Sequence, residues 1–292
     1  MGQEYIDSGK FASFGAIHLN NTSLEKSRLF WTKIIGMELK EISETVAKFG
    51  TATQVLVVVH QTAETSFQKG YSGLYHFAVH VSKLSEFAGM IQRLIDNNYP
   101  FSPVDHTMSK SIYLEDPDGI NIELTIETPE RFKRVVAKNG LRIEDSEGNL
   151  KNASEHLVVS KVLEFLEFNT TPKKLSKDAH IGHLHLYANS IEDSNQFYKK
   201  IGFIPFNYLP QYLYADLGAG GHYKHRIALN CWHGVNRPLA PNKNAGMRYF
   251  QINFSTQEKL TTALKNVSEY TETNGTFWTH DSIGNQIAFT SL

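Results

Sequence analysis

A carboxylate interrupts an apolar strand midway along the chain. In Ile120-Asn121-Ile122-Glu123-Leu124-Thr125-Ile126, alternation puts Ile120, Ile122 and Leu124 on one face. Asn121, Glu123 and Thr125 share the other. Such a carboxylate is costly to bury unless it is paired or bound to a metal. Just upstream, Asp116-Pro117-Asp118-Gly119 is a turn sequence: Pro presets φ, Asp caps locally and Gly accepts positive φ. Ser111 to Leu114 is the partner strand, so Tyr113 lies across the turn from Glu123. Taken alone, the stretch is explained equally well by a plain hairpin with an exposed Glu123. The thirteen histidines of the chain make a metal site worth seeking.

The totals narrow the options. At roughly 150 residues per domain, 292 residues suggest two domains, and 41% hydrophobic content suffices for real cores. A formal net charge of -1 gives no electrostatic footprint for nucleic acid or an anionic membrane. A single cysteine, Cys231, excludes an internal disulfide and fits a cytoplasmic setting. No charged-then-apolar leader opens the chain, and no apolar run is long enough to span a bilayer. The expectation is a cytoplasmic protein without a membrane partner.

The elements that must position Glu123 repeat along the chain. After a polar lead-in, Phe14–Asn20 reads as a strand. Thr22-Ser23-Leu24-Glu25 fits a capping box for a helix to about Ile35, where Gly36 stops it. Strands follow near Leu39–Ile42, Val46–Phe49 and Gln54–His60. This β-α-β-β-β pattern restarts at Gly73 with strand Leu74–Val81, a helix from Lys83 to about Asn97, and strands near Pro103, Ser111–Leu114 and Ile120–Ile126. It restarts again with strand Ile181–Ala188 and a helix from Ile191 to Ile201, then strands near Ile204–Tyr208, Tyr212–Leu217 and Arg226–Trp232. A fourth unit opens at Gly246. It holds a strand Met247–Phe254, a capping box Ser255-Thr256-Gln257-Glu258 and a last hairpin around Asp281-Ser282-Ile283-Gly284.

Matching segments confirm the repeat. Leu24-Glu25-Lys26-Ser27 answers Ile191-Glu192-Asp193-Ser194. Gly73-Leu74-Tyr75-His76-Phe77 answers Gly246-Met247-Arg248-Tyr249-Phe250. Asp116-Pro117-Asp118-Gly119 with Ile122-Glu123 answers Asp281-Ser282-Ile283-Gly284 with Ile287-Ala288. The charged stretch between the halves, with one amphipathic helix expected over Ser154–Phe168, reads as a connector.

With these repeats the chain resembles the vicinal-oxygen-chelate superfamily of glyoxalase, bleomycin-resistance and extradiol dioxygenase relatives. Within it, the chain resembles the catechol 2,3-dioxygenase-like type I extradiol enzymes of bacilli. Gly73-Leu74-Tyr75-His76-Phe77-Ala78, Tyr113-Leu114-Glu115-Asp116-Pro117-Asp118-Gly119, Ile181-Gly182-His183-Leu184-His185-Leu186 and Leu229-Asn230-Cys231-Trp232 carry the likeness. The resemblance implies an α+β fold: four β-α-β-β-β units forming two cup-shaped, partly open mixed β-barrels with helices outside. Residues 11–127 would be the first domain (units one and two), 128–178 a helical connector, and 179–292 the second domain (units three and four).

The resemblance also implies a metal bound by two histidines and a carboxylate, with open positions suited to non-haem Fe(II), Mn(II) being the alternative. His183, directly after Gly182, matches one ligand position. His76 matches the second and Glu123 the carboxylate. His225 matches the acid–base histidine; an imidazole titrates near neutrality and can take a phenolic proton. Tyr113 matches the tyrosine that bonds substrate. His106 matches the remaining histidine, two residues nearer Tyr113 than in the relatives. The expected function is extradiol cleavage of a catechol-type ring, with a small aromatic diol and O2 as partners, no nucleic acid, and room for a homo-oligomer. A glyoxalase-like metal-dependent isomerase or lyase and a metal-free binding module are the alternatives.

The ligands also bear on how the units pair. Ala16 stands where unit one would need a ligand, and Tyr249 and Ala288 stand where unit four would need His and Glu. The half-sites complete each other only if unit two pairs with unit three, leaving unit one with unit four. We expect that crossed pairing; about 50 connector residues have ample reach. The alternative is sequential pairing with His18, on the same strand face as Ala16, recruited to the metal.

Overall fold

The computed structural model describes residues 10–137, 140–166 and 174–292. Unit one comprises β1 (Ala12–Asn21), α1 (Leu24–Leu29), β2 (Glu38–Ile42), β3 (Val46–Gly50) and β4 (Val55–Gln61). Unit two comprises β5 (Gly73–Val81), α2 (Leu84–Asp96), β6 (Ser102–Asp105), β7 (Ser109–Glu115) and β8 (Asn121–Glu127). The connector carries β9 (Phe132–Val136), β10 (Arg142–Asp145), β11 (Leu150–Asn152), β12 (Glu155–His156) and α3 (Val159–Leu163). Unit three has β13 (His180–Tyr187), α4 (Ile191–Lys200), β14 (Ile204–Leu209), β15 (Tyr214–Gly218) and β16 (Ile227–Asn230). Unit four has β17 (Gly246–Phe254), α5 (Gln257–Lys265), β18 (Thr271–Thr273), β19 (Thr276–His280) and β20 (Gln286–Ser291).

The strands form two large mixed sheets. One runs β18-β19-β20-β17-β1-β4-β3-β2 and joins unit one to unit four. The other runs β12-β6-β7-β8-β5-β13-β16-β15-β14 and joins unit two to unit three. The seams are antiparallel: β1 on β17 and β5 on β13. Each sheet ends on edge strands, so neither closes into a barrel. The first strand of every unit pairs parallel with that unit's last strand.

Alternation along three strands aims the chemistry inward. On β5, Phe77, Val79 and Val81 join the buried apolar core while His76, Ala78 and His80 face the other way. On β8, Ile122, Leu124 and Ile126 join the core and Glu123, Thr125 and Glu127 oppose them. On β13, Leu184 and Leu186 oppose His183 and His185. Each such apolar side chain contributes about 1.5–3 kcal/mol on burial. A one-residue slip would expose the whole set, so the apolar faces fix the register of His76, Glu123 and His183.

Two turns repeat the same device. Asp116 Oδ1 accepts from the backbone N–H of Asp118 and Ile120, both at 2.9 Å. Asp281 Oδ1 accepts likewise from Ile283 and Asn285 at 2.9 and 2.8 Å. Both helix caps fall one residue later than the capping boxes place them: Thr256, not Ser255, caps α5 by accepting from the Lys259 N–H. Ser23, not Thr22, caps α1 by accepting from the Lys26 N–H. Thr22 is held by Asp118 instead, through its hydroxyl and its N–H. Beyond α1, Phe30–Ile35 winds as a π-helix that buries both Phe30 and Trp31.

The connector departs from the helical expectation. Its described part is mainly a three-stranded antiparallel sheet, β11-β10-β9, and its helix shrinks to Val159–Leu163. Glu155 and His156 pair with β6 as an edge strand. The Asn152 N–H and side-chain amide both bond Glu155 Oε1, at 2.8 and 2.7 Å. Such local side-chain bonds compete with helix. Phe168, the expected end of that helix, lies outside the described residues.

Candidate metal centre

Three side chains from three strands meet at the floor of the nine-stranded sheet. His183 Nε2 lies 2.9 Å from Glu123 Oε2 and 3.4 Å from His76 Nε2. His76 Nε2 lies 3.0 Å from the same Glu123 oxygen. All three are buried, at 3%, 2% and 1% exposure for His76, Glu123 and His183. The other Glu123 oxygen accepts from the Thr125 hydroxyl at 2.8 Å, so one oxygen faces the histidines.

The donors fit a divalent cation. Ligands about 2.1 Å from a metal and at right angles to one another stand about 3 Å apart, the spacing observed. Hydrogen bonding leads to the same conclusion. His80 Nδ1 lies 2.8 Å from Glu127 Oε1, and His80 Nε2 lies 2.8 Å from His183 Nδ1. With both rings neutral, the Glu127 carboxylate assigns the His80 proton to Nδ1, and His80 Nε2 then accepts from His183 Nδ1–H. That leaves the His183 Nε2 lone pair aimed at a carboxylate oxygen. A cation between these two acceptors, 2.9 Å apart, would satisfy both. His76 Nδ1 is buried without a hydrogen-bond partner.

Charge follows from this packing. Burial would raise the Glu123 carboxyl, but positive charge on its His183 and His76 side overcomes it and holds the group well below the usual carboxylate range. Burial pushes the His183 and His76 imidazoles down, His183 strongly so, keeping both neutral and able to ligate.

Above the three lies a cavity of 390 Å³. His225 is on its wall, with ring centroid 4.8 Å from that of His183. Its Nδ1 lies 2.8 Å from Asp216 Oδ2, and Tyr214 donates to the same carboxylate oxygen at 3.0 Å. In the neutral His225 ring the proton therefore sits on Nδ1, and Nε2 is left without one. Tyr113 packs edge-on against His76 at 5.4 Å. Its hydroxyl lies 2.9 Å from His106 Nε2, while His106 Nδ1 donates to the Ala153 carbonyl at 2.8 Å. So His106, despite its shorter spacing, meets Tyr113 at the cavity. Burial and the Glu123 charge hold the Tyr113 hydroxyl well above its ordinary pKa, so it stays protonated.

His185 lines the cavity and accepts from the Asn230 amide at 2.9 Å. His18 does not approach this centre. It lies in the other large sheet, 3.0 Å from His60 and stacked on Tyr249 at 3.9 Å.

Sequence reasoning missed His80, Glu127 and Asp216. Strand parity was the available signal for the first two: each lies four residues beyond an expected ligand, on the same face. A second group, His80, Glu127 and His180, also brings ligand atoms together. Arg226 donates to Glu127 Oε1 at 2.7 Å there, so the local positive charge is already supplied.

Residues 13–124 match the model of the Glyoxalase/Bleomycin resistance protein/Dioxygenase superfamily. The catechol-2,3-dioxygenase of Bacillus subtilis (strain 168) is 29% identical over 252 residues, covering 84% of each chain. Among solved structures, one from Bacillus subtilis subsp. subtilis str. 168 aligns with a TM-score of 0.62 at 10% identity, over 97% of this chain and 85% of that one. Glyoxalase I of Zea mays aligns with a TM-score of 0.55 at 15% identity, over 96% and 93%. At these identities the two structures speak for the fold alone. No helix among the described residues is long and apolar enough to cross a membrane.

Proposed function

We propose that this chain belongs to the Glyoxalase/Bleomycin resistance protein/Dioxygenase superfamily, whose model its residues 13–124 match, and that it is an Fe(II)-dependent extradiol dioxygenase. It would open a catechol-type ring beside its two hydroxyls with O2, giving a semialdehyde. The observation that carries the reading is the triangle of His76, Glu123 and His183 at the floor of an aromatic-walled cavity, with an oriented histidine base beside it. Those three residues would hold the metal, which when bound supplies a redox-active meeting point for diol and O2. Mn(II) takes a similar ligand set.

The other steps belong to the chain's own groups. His225 Nε2 takes a proton from a substrate hydroxyl, and Asp216 stabilises the imidazolium that results. The Tyr113 hydroxyl, oriented by His106, holds a substrate oxygen. Tyr75, Tyr214 and Trp232 flank the ring. A cavity of about 150 Å³ can hold benzene, so 390 Å³ leaves space for a ring substituent. Phe132, Val135 and Ile143 of the connector sheet border that space, and no Lys or Arg lines it among the described residues. An uncharged diol therefore suits it better than a carboxylated one. The working unit is neither tandem half, 11–127 nor 179–292, but the crossed pair of units two and three.

The test is anaerobic purification and metal analysis, followed by catechol and O2. One iron per chain and a yellow ring-opened product are expected. Bound iron with no semialdehyde formed would refute the reaction.

A further inference from the structure

His80 is fully buried on the inward face of β5, four residues beyond His76. It bonds His183 through one ring nitrogen and Glu127 through the other. Glu127 is itself clamped. The Arg226 guanidinium donates to its Oε1 and also to the Gly182 carbonyl, at 2.7 and 3.0 Å. Gly182 directly precedes His183, and the His80 ring occupies the space its side chain would need. A Cβ on Gly182 would lie 2.1 Å from His80 Cγ and Cδ2. Gly182 does not adopt the left-handed backbone that usually calls for glycine. The ring demands it.

We infer that His80 is a positioning residue for the metal centre. By accepting from His183 Nδ1–H it sets the ring angle of that ligand and keeps Nε2 free of a proton. Glu127 and Arg226 fix the tautomer of His80 in turn. The bond crosses the seam between β5 and β13, so it ties the unit-three ligand to the unit that carries His76 and Glu123. Outer hydrogen bonds of this kind raise ligand basicity and hold its orientation. The inference rests on the metal reading above but not on ring cleavage.

The test uses Co(II) as the probe, titrated under argon into the full-length protein and followed by calorimetry and visible absorption. His80→Phe keeps a ring of similar bulk without an acceptor; His80→Gln keeps an acceptor. His80→Phe is expected to weaken Co(II) binding about 10–100-fold and to abolish the slowly exchanging His183 Nδ1–H resonance. His80→Gln is expected to recover most of that affinity. Glu127→Ala changes the partly exposed end of the chain and keeps the test available should the buried variants not fold; about 10-fold weaker binding is expected. Wild-type affinity in His80→Phe or in Glu127→Ala would overturn the inference. So would equal losses in folded His80→Phe and His80→Gln, which would indicate packing alone. A wild-type protein that takes up no Co(II) would overturn the metal reading, and this inference with it.

Discussion

The two large sheets pair their units alike but fill their inner faces differently. His185 faces His76 across β13 and β5, and His18 faces Tyr249 across β1 and β17. His185 meets Asn230 at 2.9 Å, and His18 meets His60 at 3.0 Å. Tyr113 stands opposite Glu123, and Trp278 opposite Ala288. Where one sheet has His183, His76 and Glu123, the other has Ala16, Tyr249 and Ala288. In place of His80 and its ion pair, Asn253 accepts from Gln251 and Thr290 at 2.7 and 2.6 Å. The outward apolar faces match in character, so both sheets fold. Fold and chemistry are separable here: the first resides in one strand parity and the second in the other.

The largest expected effect comes from making the first sheet resemble the second. Glu123→Ala removes the anionic ligand and should weaken metal binding by more than about 100-fold, since even outer partners are worth 10–100-fold. The fold should persist, because the apolar face is untouched; metal analysis beside circular dichroism checks both. Next comes His225→Ala, which should load metal normally and turn over about 10²–10⁴-fold more slowly. Normal turnover at neutral pH would remove His225 from the mechanism.

A third effect compares glycines at matching positions. An alanine at Gly182 meets the His80 ring, which is bonded at both nitrogens and has nowhere to go. An alanine at Gly15 meets the Gln251 side chain, Cδ at 2.6 Å and Cγ at 2.9 Å, a flexible chain tied only at its amide by Asn253 and Thr290. Gly182→Ala should cost about 1–3 kcal/mol in denaturant unfolding, as overpacking does, and weaken metal binding. Gly15→Ala should cost less and leave metal binding alone. Equal costs would mean that the His80 ring is not clamped.

The smallest effect lies in the second sheet. Burial, with His60, Arg248 and Lys48 nearby, pushes His18 down to about 3. The unfolded chain protonates His18 below about 6.5. Between those values the unfolded state binds more protons, so stability falls as pH drops through the window and is fully present above it. His18→Asn should flatten that acid limb by up to one proton; urea midpoints from pH 4 to 7 would show it.

Much of this was legible in the sequence. Period-two alternation around Glu123, the capping sequences and the Asp116 and Asp281 turns are local signals, and local physics decides them. The proposed ligand set could be reached only through resemblance, because His76 and His183 read alone as ordinary strand histidines. The start of the expected connector helix was misread because Glu155 and His156 pair with β6, distant in the chain, and no local pattern carries that. His80 and Glu127 were hidden within strong apolar strands. Their partner Arg226 comes from unit three, and only the β5–β13 seam brings them together.

The central claim is a single metal in the sheet shared by units two and three. Metal stoichiometry of anaerobically prepared His183→Ala and His18→Ala, beside the wild type, tests it most directly. The account predicts one equivalent in the wild type, one in His18→Ala and none in His183→Ala. Metal retained in His183→Ala, or lost in His18→Ala, would contradict it.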